Sequence, residues 1–226
     1  MIQSEPKTIL ILAANPRGTS ALRLDREVRE INNGLRQSLY RHQFQLEQRW
    51  ALRSRDVQRA LLDVNPHIVH FCGHGEGQSG LVLEDKLGDV KLVSTEALSQ
   101  LFELFADRIE CVLLNACYAA VQADAIVQHI NYVIGMRQAV PDDLAIAFSV
   151  GFYQALAARQ SIEAAFQSGC DRIQQVTSAG ASDTASDSPS DTARADRKLI
   201  PIEFADGVEL AWPDRMIPIL RTKELV

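Results

Sequence analysis

Two side chains in this sequence could do chemistry together. His74 stands in Gly73-His74-Gly75, just after the apolar run Ile68-Val69-His70-Phe71-Cys72. Cys117 closes a second run, Cys111-Val112-Leu113-Leu114-Asn115-Ala116-Cys117. A cysteine attacks a carbonyl only as its thiolate, and an ordinary thiol holds little thiolate at neutral pH. A nearby imidazole takes the thiol proton and later protonates the leaving amine. The oxyanion formed in between needs donors already aimed at it, and backbone N–H groups in a tight turn serve. Gly75, with no side chain in the way, and Cys117 itself are the expected donors. Singly, a histidine among glycines is an ordinary turn residue and a strand-end cysteine an ordinary half-buried one. Cysteine–histidine signatures also do not transfer between families. It is the pair that points to chemistry.

The pair needs elements to hold it. Both runs are short, apolar and followed by a break, the pattern of central strands in a parallel sheet. Open α/β sheets place their sites outside the carboxyl ends of the strands. If the two strands are neighbours, His74 and Cys117 face each other across the top of the sheet. Thr8 to Ala14 reads as a first buried strand, ended by Asn15-Pro16-Arg17-Gly18. That loop lacks both glycine-rich phosphate patterns and reads as a plain connection. Leu24, Val28, Ile31, Leu35 and Leu39 then share one face of a helix over residues 22–40. Phe44 to Leu52 reads as a strand, and Ser54 as the cap of a helix to Val64. After the histidine, Leu81–Leu83 and Val90–Val93 form a small hairpin, and Ser94 caps a helix to about Ala106. A short helix over Ala123–His129, a strand over Tyr132–Met136, and helices from Pro141 to Ala158 and from Ser161 to about Gln175 complete the alternation. Strands alternating with helices predict an α/β layered fold with a mostly parallel sheet.

The pattern changes at Thr177. Residues 177–198 are mostly Ser, Thr, Asp and Ala with no large apolar side chain, so they are expected to be a disordered linker. Beyond them, Ile202–Phe204 and Val208–Leu210 flank Asp206-Gly207, a hairpin signal. Met216–Leu220 reads as an edge strand because Pro218 does not suit a central one. The expected organisation is a domain over 7–175, the loop over 177–198, and a hairpin and edge strand over 199–226.

Composition narrows the setting. The chain has 226 residues, 46% hydrophobic and 23% charged, ordinary for a soluble globular protein. No apolar run reaches the roughly 20 residues of a membrane helix, and the start carries no secretory pattern. A cytoplasmic location and free thiols are expected for Cys72, Cys111, Cys117 and Cys170. Residues 1–60 hold eleven Lys or Arg against six Asp or Glu, so they carry +5, and the rest carries −11 of a net −6. With no basic cluster or aromatic platform, a nucleic-acid partner is not expected. Zinc held by Cys72, His74 and Cys117 is conceivable, but the spacings match no zinc finger or ribbon, so no metal and no cofactor is expected. His67 and His70 read as structural, and His42 and His129 as surface or helix-end residues.

The run His70-Phe71-Cys72-Gly73-His74-Gly75 together with Leu114-Asn115-Ala116-Cys117 resembles the CHAT domain family, of the same clan as caspases, metacaspases, separase and clostripain. Ile9–Pro16, Leu24–Ile31, Tyr132–Met136 and Ala147–Tyr153 extend the resemblance over nearly all of 7–175. It implies a caspase-like three-layer fold with helices on both faces of the sheet. It also implies a cysteine endopeptidase acting on protein or peptide substrates, with His74 and Cys117 as the dyad and Gly75 as an oxyanion donor. Relatives of this clan are often latent, and CHAT domains are often fused to a sensor, so an activating sensor partner is expected. Several relatives select a basic residue before the cleaved bond with a carboxylate in the pocket, which makes Asp142 and Asp143 candidates for that role. Asp after Pro at a helix start is equally an ordinary dipole partner. A catalytically silent binding or assembly module of the same fold is the alternative to the peptidase.

Overall fold

A computed structural model gives the protein's structure and describes residues 5–182, 199–203, 209–213 and 218–223. The elements run in order β1 (Lys7–Ala13), α1 (Leu24–Gln37), β2 (Phe44–Arg49), α2 (Ser54–Val64), β3 (Ile68–Cys72), β4 (His74–Gly75), β5 (Leu81–Glu84), β6 (Val90–Val93), α3 (Thr95–Glu103), β7 (Cys111–Asn115), α4 (Ala120–Ile126), β8 (Tyr132–Met136), α5 (Asp142–Ala157), α6 (Ile162–Ser182), β9 (Leu199–Glu203), β10 (Glu209–Pro213) and β11 (Pro218–Thr222). The central sheet has the order β11-β8-β7-β3-β1-β2. All its pairs are parallel except β11 on β8. Antiparallel pairing at an edge suits the chain's last strand, whose Pro218 could not donate to a second neighbour.

Strand residues alternate between two apolar layers, as a pleated sheet covered on both faces requires. Ile9, Ile11, Ile68, Leu113 and Ile134 pack with α1, α5 and α6. Leu10, Leu12, Val69, Val112 and Val133 pack with α2, α3 and α4. Helices therefore cover both faces of the mostly parallel sheet. Helix α5 is apolar nearly all round, and Phe148, Phe152 and Tyr153 are fully buried, as fits a helix enclosed by neighbours. Each such side chain contributes about 1.5–3 kcal/mol by leaving water. No helix among the described residues is long and apolar enough to cross a membrane.

A second, antiparallel sheet stands over the histidine. β4 pairs with β5 and β5 with β6, so the hairpin expected after the histidine strand includes the histidine itself. A further pair, β9 with β10, is antiparallel as the Asp206-Gly207 signal implies, although the turn lies outside the described residues. Several boundaries differ from the sequence reading: β2 stops at Arg49, α3 at Glu103, and the edge strand runs over Pro218–Thr222. Helix α1 ends at Gln37, leaving Leu39 87% exposed instead of on the apolar face. Arg53, not Ser54, takes the N-cap position of α2, and α4 starts three residues early. Helix α6 continues to Ser182, six residues into the expected linker, whose Ala and Ser residues tolerate a helix extended from an anchored turn. Residues 183–198 lie outside the described residues.

Gly135 in β8 lets the backbone approach the turn that follows Cys117. A Cβ there would lie 2.7 Å from the Ala119 carbonyl oxygen and 3.1 Å from Ala123 Cβ. Gly135→Ala is expected to lose about 1–3 kcal/mol of unfolding free energy in urea through overpacking, and an unchanged urea midpoint would contradict this packing.

Candidate active site

β3 and β7 are parallel neighbours, with Cys72 opposite Asn115. His74 and Cys117 each follow two residues later, so they leave the sheet together at its carboxyl edge. Both line one cavity of about 30 Å³, room for a water or two. Leu22, Leu24, Met136, Val140 and Asp142 are among its other walls.

The histidine ring is held from one side. His74 Nε2 lies 3.1 Å from Asn15 Oδ1 and 3.0 Å from the Ser20 carbonyl oxygen. Two acceptors on that nitrogen assign it the proton, leaving Nδ1 as the basic nitrogen of the neutral ring. Both holders come from the β1–α1 loop, which the sequence reading took as plain connection. β1 is the neighbour of β3, so its strand-end loop must lie beside that of the histidine, and this topology is the signal that could have found them.

Gly75 is pressed against the cysteine. A Cβ on Gly75 would lie 2.4 Å from the Cys117 carbonyl oxygen, closer than any side chain fits. Its N–H direction follows from the ladder. Gly75 is opposite Leu81 and His74 opposite Val82, while the Glu76 N–H donates to the Gly80 carbonyl. Hydrogen-bonded pairs alternate in antiparallel sheets, so the Gly75–Leu81 pair is unbonded and the Gly75 N–H points away from β5. Past the cysteine, Tyr118 takes a left-handed φ of 57°, a strained conformation for a bulky residue, worth about 1–3 kcal/mol. Such strain concentrates where a chain must turn sharply to present a side chain.

Beneath the dyad lies a buried polar network. Glu27 is 3% exposed. Its Oε1 accepts from Asn115 Nδ2 at 2.6 Å and from Ser149 Oγ at 2.7 Å. His70 Nε2 is 3.1 Å from the same oxygen but misaligned for a hydrogen bond. His70 Nδ1 meets Tyr153 OH at 3.1 Å. Reading His70 as structural fits this position. Glu27 and Asn115 lie in the stretches Leu24–Ile31 and Leu114–Cys117 that carry the family resemblance, but only the acid within an otherwise apolar helix stripe hints at a buried partner, and nothing in the sequence brings the two together.

Donor atoms of Glu27, His70 and Cys72 lie within 4.8 Å of one another. Glu27 is already satisfied by two donors, and burial, followed by the charge of Glu27, pushes the Cys72 thiol well up and keeps it protonated. A protonated thiol and a carboxylate already engaged by Asn115 and Ser149 make this buried trio a poor donor set for a metal ion. Cys72, one of the conceivable zinc set with His74 and Cys117, is turned into the core, fully buried with its Sγ 3.9 Å from the Leu12 carbonyl.

Asp142 and Asp143 begin α5. Asp142 lines the cavity, whereas Asp143 is not among its walls. Arg23 joins both, with Nε 2.7 Å from Asp142 Oδ2 and Nη2 2.6 Å from Asp143 Oδ1. Arg26 Nη1 adds a contact to Asp143 at 3.1 Å.

The sequence model of the CHAT domain family matches residues 2–181. A probable protease of Gillisia limnaea is 24% identical over 152 residues, covering 66% of this chain and 27% of that protein. A Roc-COR-CHAT protease from an unknown prokaryotic organism is 22% identical over 183 residues, covering 77% of this chain and 17% of that protein. The chain thus spans about a quarter or less of the length of these relatives. The crystal structure of pyridoxal kinase from Lactobacillus plantarum aligns at 6% identity with a TM-score of 0.38, over 80% of this chain and 91% of that one, too low to bear on function.

Two outcomes follow from this geometry. Cys111 and Cys170 are, like Cys72, buried thiols pushed up by desolvation, while Cys117 is half-buried. Iodoacetamide at pH 7 should therefore modify Cys117 alone in the folded protein, with the other three reacting only after unfolding, as read by peptide mass mapping. Glu27→Ala strands the Asn115 amide and the Ser149 hydroxyl, and should lower unfolding free energy by about 2–5 kcal/mol. A loss below the error of a urea titration would show that the network is not the site's foundation.

Proposed function

The chain belongs to the CHAT domain family, a family of caspase-like proteases, and from that premise we propose that it is a cysteine endopeptidase with Cys117 as nucleophile and His74 as acid and base. The observation that carries the reading is the arrival of both side chains at the carboxyl edge of adjacent parallel strands, in one cavity. With Nε2 of His74 engaged by Asn15 and Ser20, Nδ1 is free to take the Cys117 proton. The thiolate sulfur then bonds to the scissile carbonyl carbon, and the C=O electron pair moves to oxygen. The N–H of Gly75, turned away from β5, and that of Cys117 are the donors for this oxyanion. Collapse breaks the C–N bond as His74 returns its proton to the amine, leaving a thioester. Water attacks the thioester with His74 as base, and the thiolate leaves, is reprotonated and restores the enzyme.

The cavity shared by His74 and Cys117 is narrow. That narrowness supports a largely latent state, raised from a low basal activity by a partner or signal, and the family membership supports a sensor as that partner. It is equally what a silent binding module would display, so the second reading stands beside the first. Free thiols at all four cysteines support a reducing, cytoplasmic setting.

A peptide-vinyl electrophile should label the wild type on Cys117, Cys72→Ala should label equally, and Cys117→Ala not at all. His74→Ala should slow labelling by about 100-fold or more, and a library of peptides should be cut by wild type and left whole by Cys117→Ala. Equal labelling of wild type and Cys117→Ala, with no peptide cut by either, would leave the binding module as the account of this fold.

A further inference from the structure

Resting on the peptidase reading, we propose that Arg23 makes the pocket beside the dyad select a mid-sized apolar side chain before the scissile bond, because it occupies the carboxylate that would otherwise receive a basic one. The cavity shared by His74 and Cys117 is walled by Leu22, Leu24, Met136, Val140 and Ala145, and two carboxylates reach it, Glu27 and Asp142. Glu27 is committed to Asn115 and Ser149 in the core. Asp142 Oδ2 takes Arg23 Nε at 2.7 Å and lies 3.4 Å from the Arg23 backbone nitrogen. The remaining faces of the guanidinium and its neighbour are matched too, Arg23 Nη2 and Arg26 Nη1 both meeting Asp143. Two guanidiniums against two carboxylates make a neutral cluster.

A lysine or arginine entering this pocket would meet no free carboxylate and would lose its water beside a like charge. An apolar side chain loses nothing polar and covers apolar walls. The small cavity must widen to admit it, and Leu22 and Val140, only half-buried, are the walls that can yield. Leu22 immediately precedes Arg23, so the ion pairs that cover Asp142 also hold that wall in place. Arg23 is 46% exposed and Asp143 59%, so this clamp is weak and open to competition.

The test uses the full chain and two peptide chloromethyl ketones identical except for leucine or lysine next to the reactive ketone, with the rate of Cys117 labelling read by mass spectrometry. In wild type the leucine reagent should react faster by about tenfold or more. In Arg23→Ala, an exposed substitution whose fold circular dichroism checks, the leucine-to-lysine ratio should fall by a similar factor as Asp142 becomes free. Arg23→Lys should keep the wild-type ratio, and Arg23→Ala with Asp142→Ala should restore it. A wild type that prefers lysine, or a ratio unmoved in Arg23→Ala, overturns this inference and leaves the peptidase standing. Reaction with neither ketone, while iodoacetamide still modifies Cys117, overturns both.

Discussion

Parallel pairing of β3 with β7, in the register that sets Cys72 against Asn115, is the constraint on which the site depends. Slipping one strand by a single residue would exchange its two faces and carry His70 or Asn115 away from Glu27 into the opposite apolar layer, so the buried polar partners fix the register. The register in turn fixes where the ends of the two strands emerge. Nothing at the dyad itself needs to hold His74 and Cys117 at the same height, because the core beneath has already done so.

The core does so with a polar element as well as an apolar one. Glu27 reaches from α1 to Asn115 on β7 and Ser149 on α5, with His70 of β3 alongside. A buried carboxylate is costly unless its partners are all present, so these four elements can settle only in the arrangement that supplies them. The network lies two residues below the cysteine, and its precision is handed directly to the turn that carries Cys117. Above it, the β1–α1 loop performs two tasks, holding the His74 ring with Asn15 and Ser20 and clamping the start of α5 with Arg23. One short loop thereby links the His74 ring to a wall of the shared cavity.

Much of this was legible in the sequence, for physical reasons. Strand runs such as Ile68–Cys72 and Cys111–Asn115 are uniformly apolar because both faces are covered, and they were readable without knowing their neighbours. Helix α1 declared itself by the spacing of Leu24, Val28, Ile31 and Leu35, whereas Leu39 kept the spacing after the helix had ended and misled. The residues that complete the site were hidden because they act across the fold. Asn15 and Ser20 meet His74 only because β1 lies beside β3, and Arg23 meets Asp142 across 119 residues. The close fit of Gly75 against the Cys117 carbonyl gives the glycine after the histidine a steric reason, which the sequence could suggest only as an open path to the oxyanion.

The most direct measurement of the central claim is a crystal structure of the protein with a peptide aldehyde bound. The account requires a covalent bond from Cys117 Sγ to the aldehyde carbon, with the oxygen within hydrogen-bond distance of the Gly75 and Cys117 N–H groups. The His74 ring should still be held at Nε2 by Asn15 and Ser20. An aldehyde bonded to a different cysteine, or an adduct on Cys117 whose oxygen turns away from the Gly75 N–H, would contradict it.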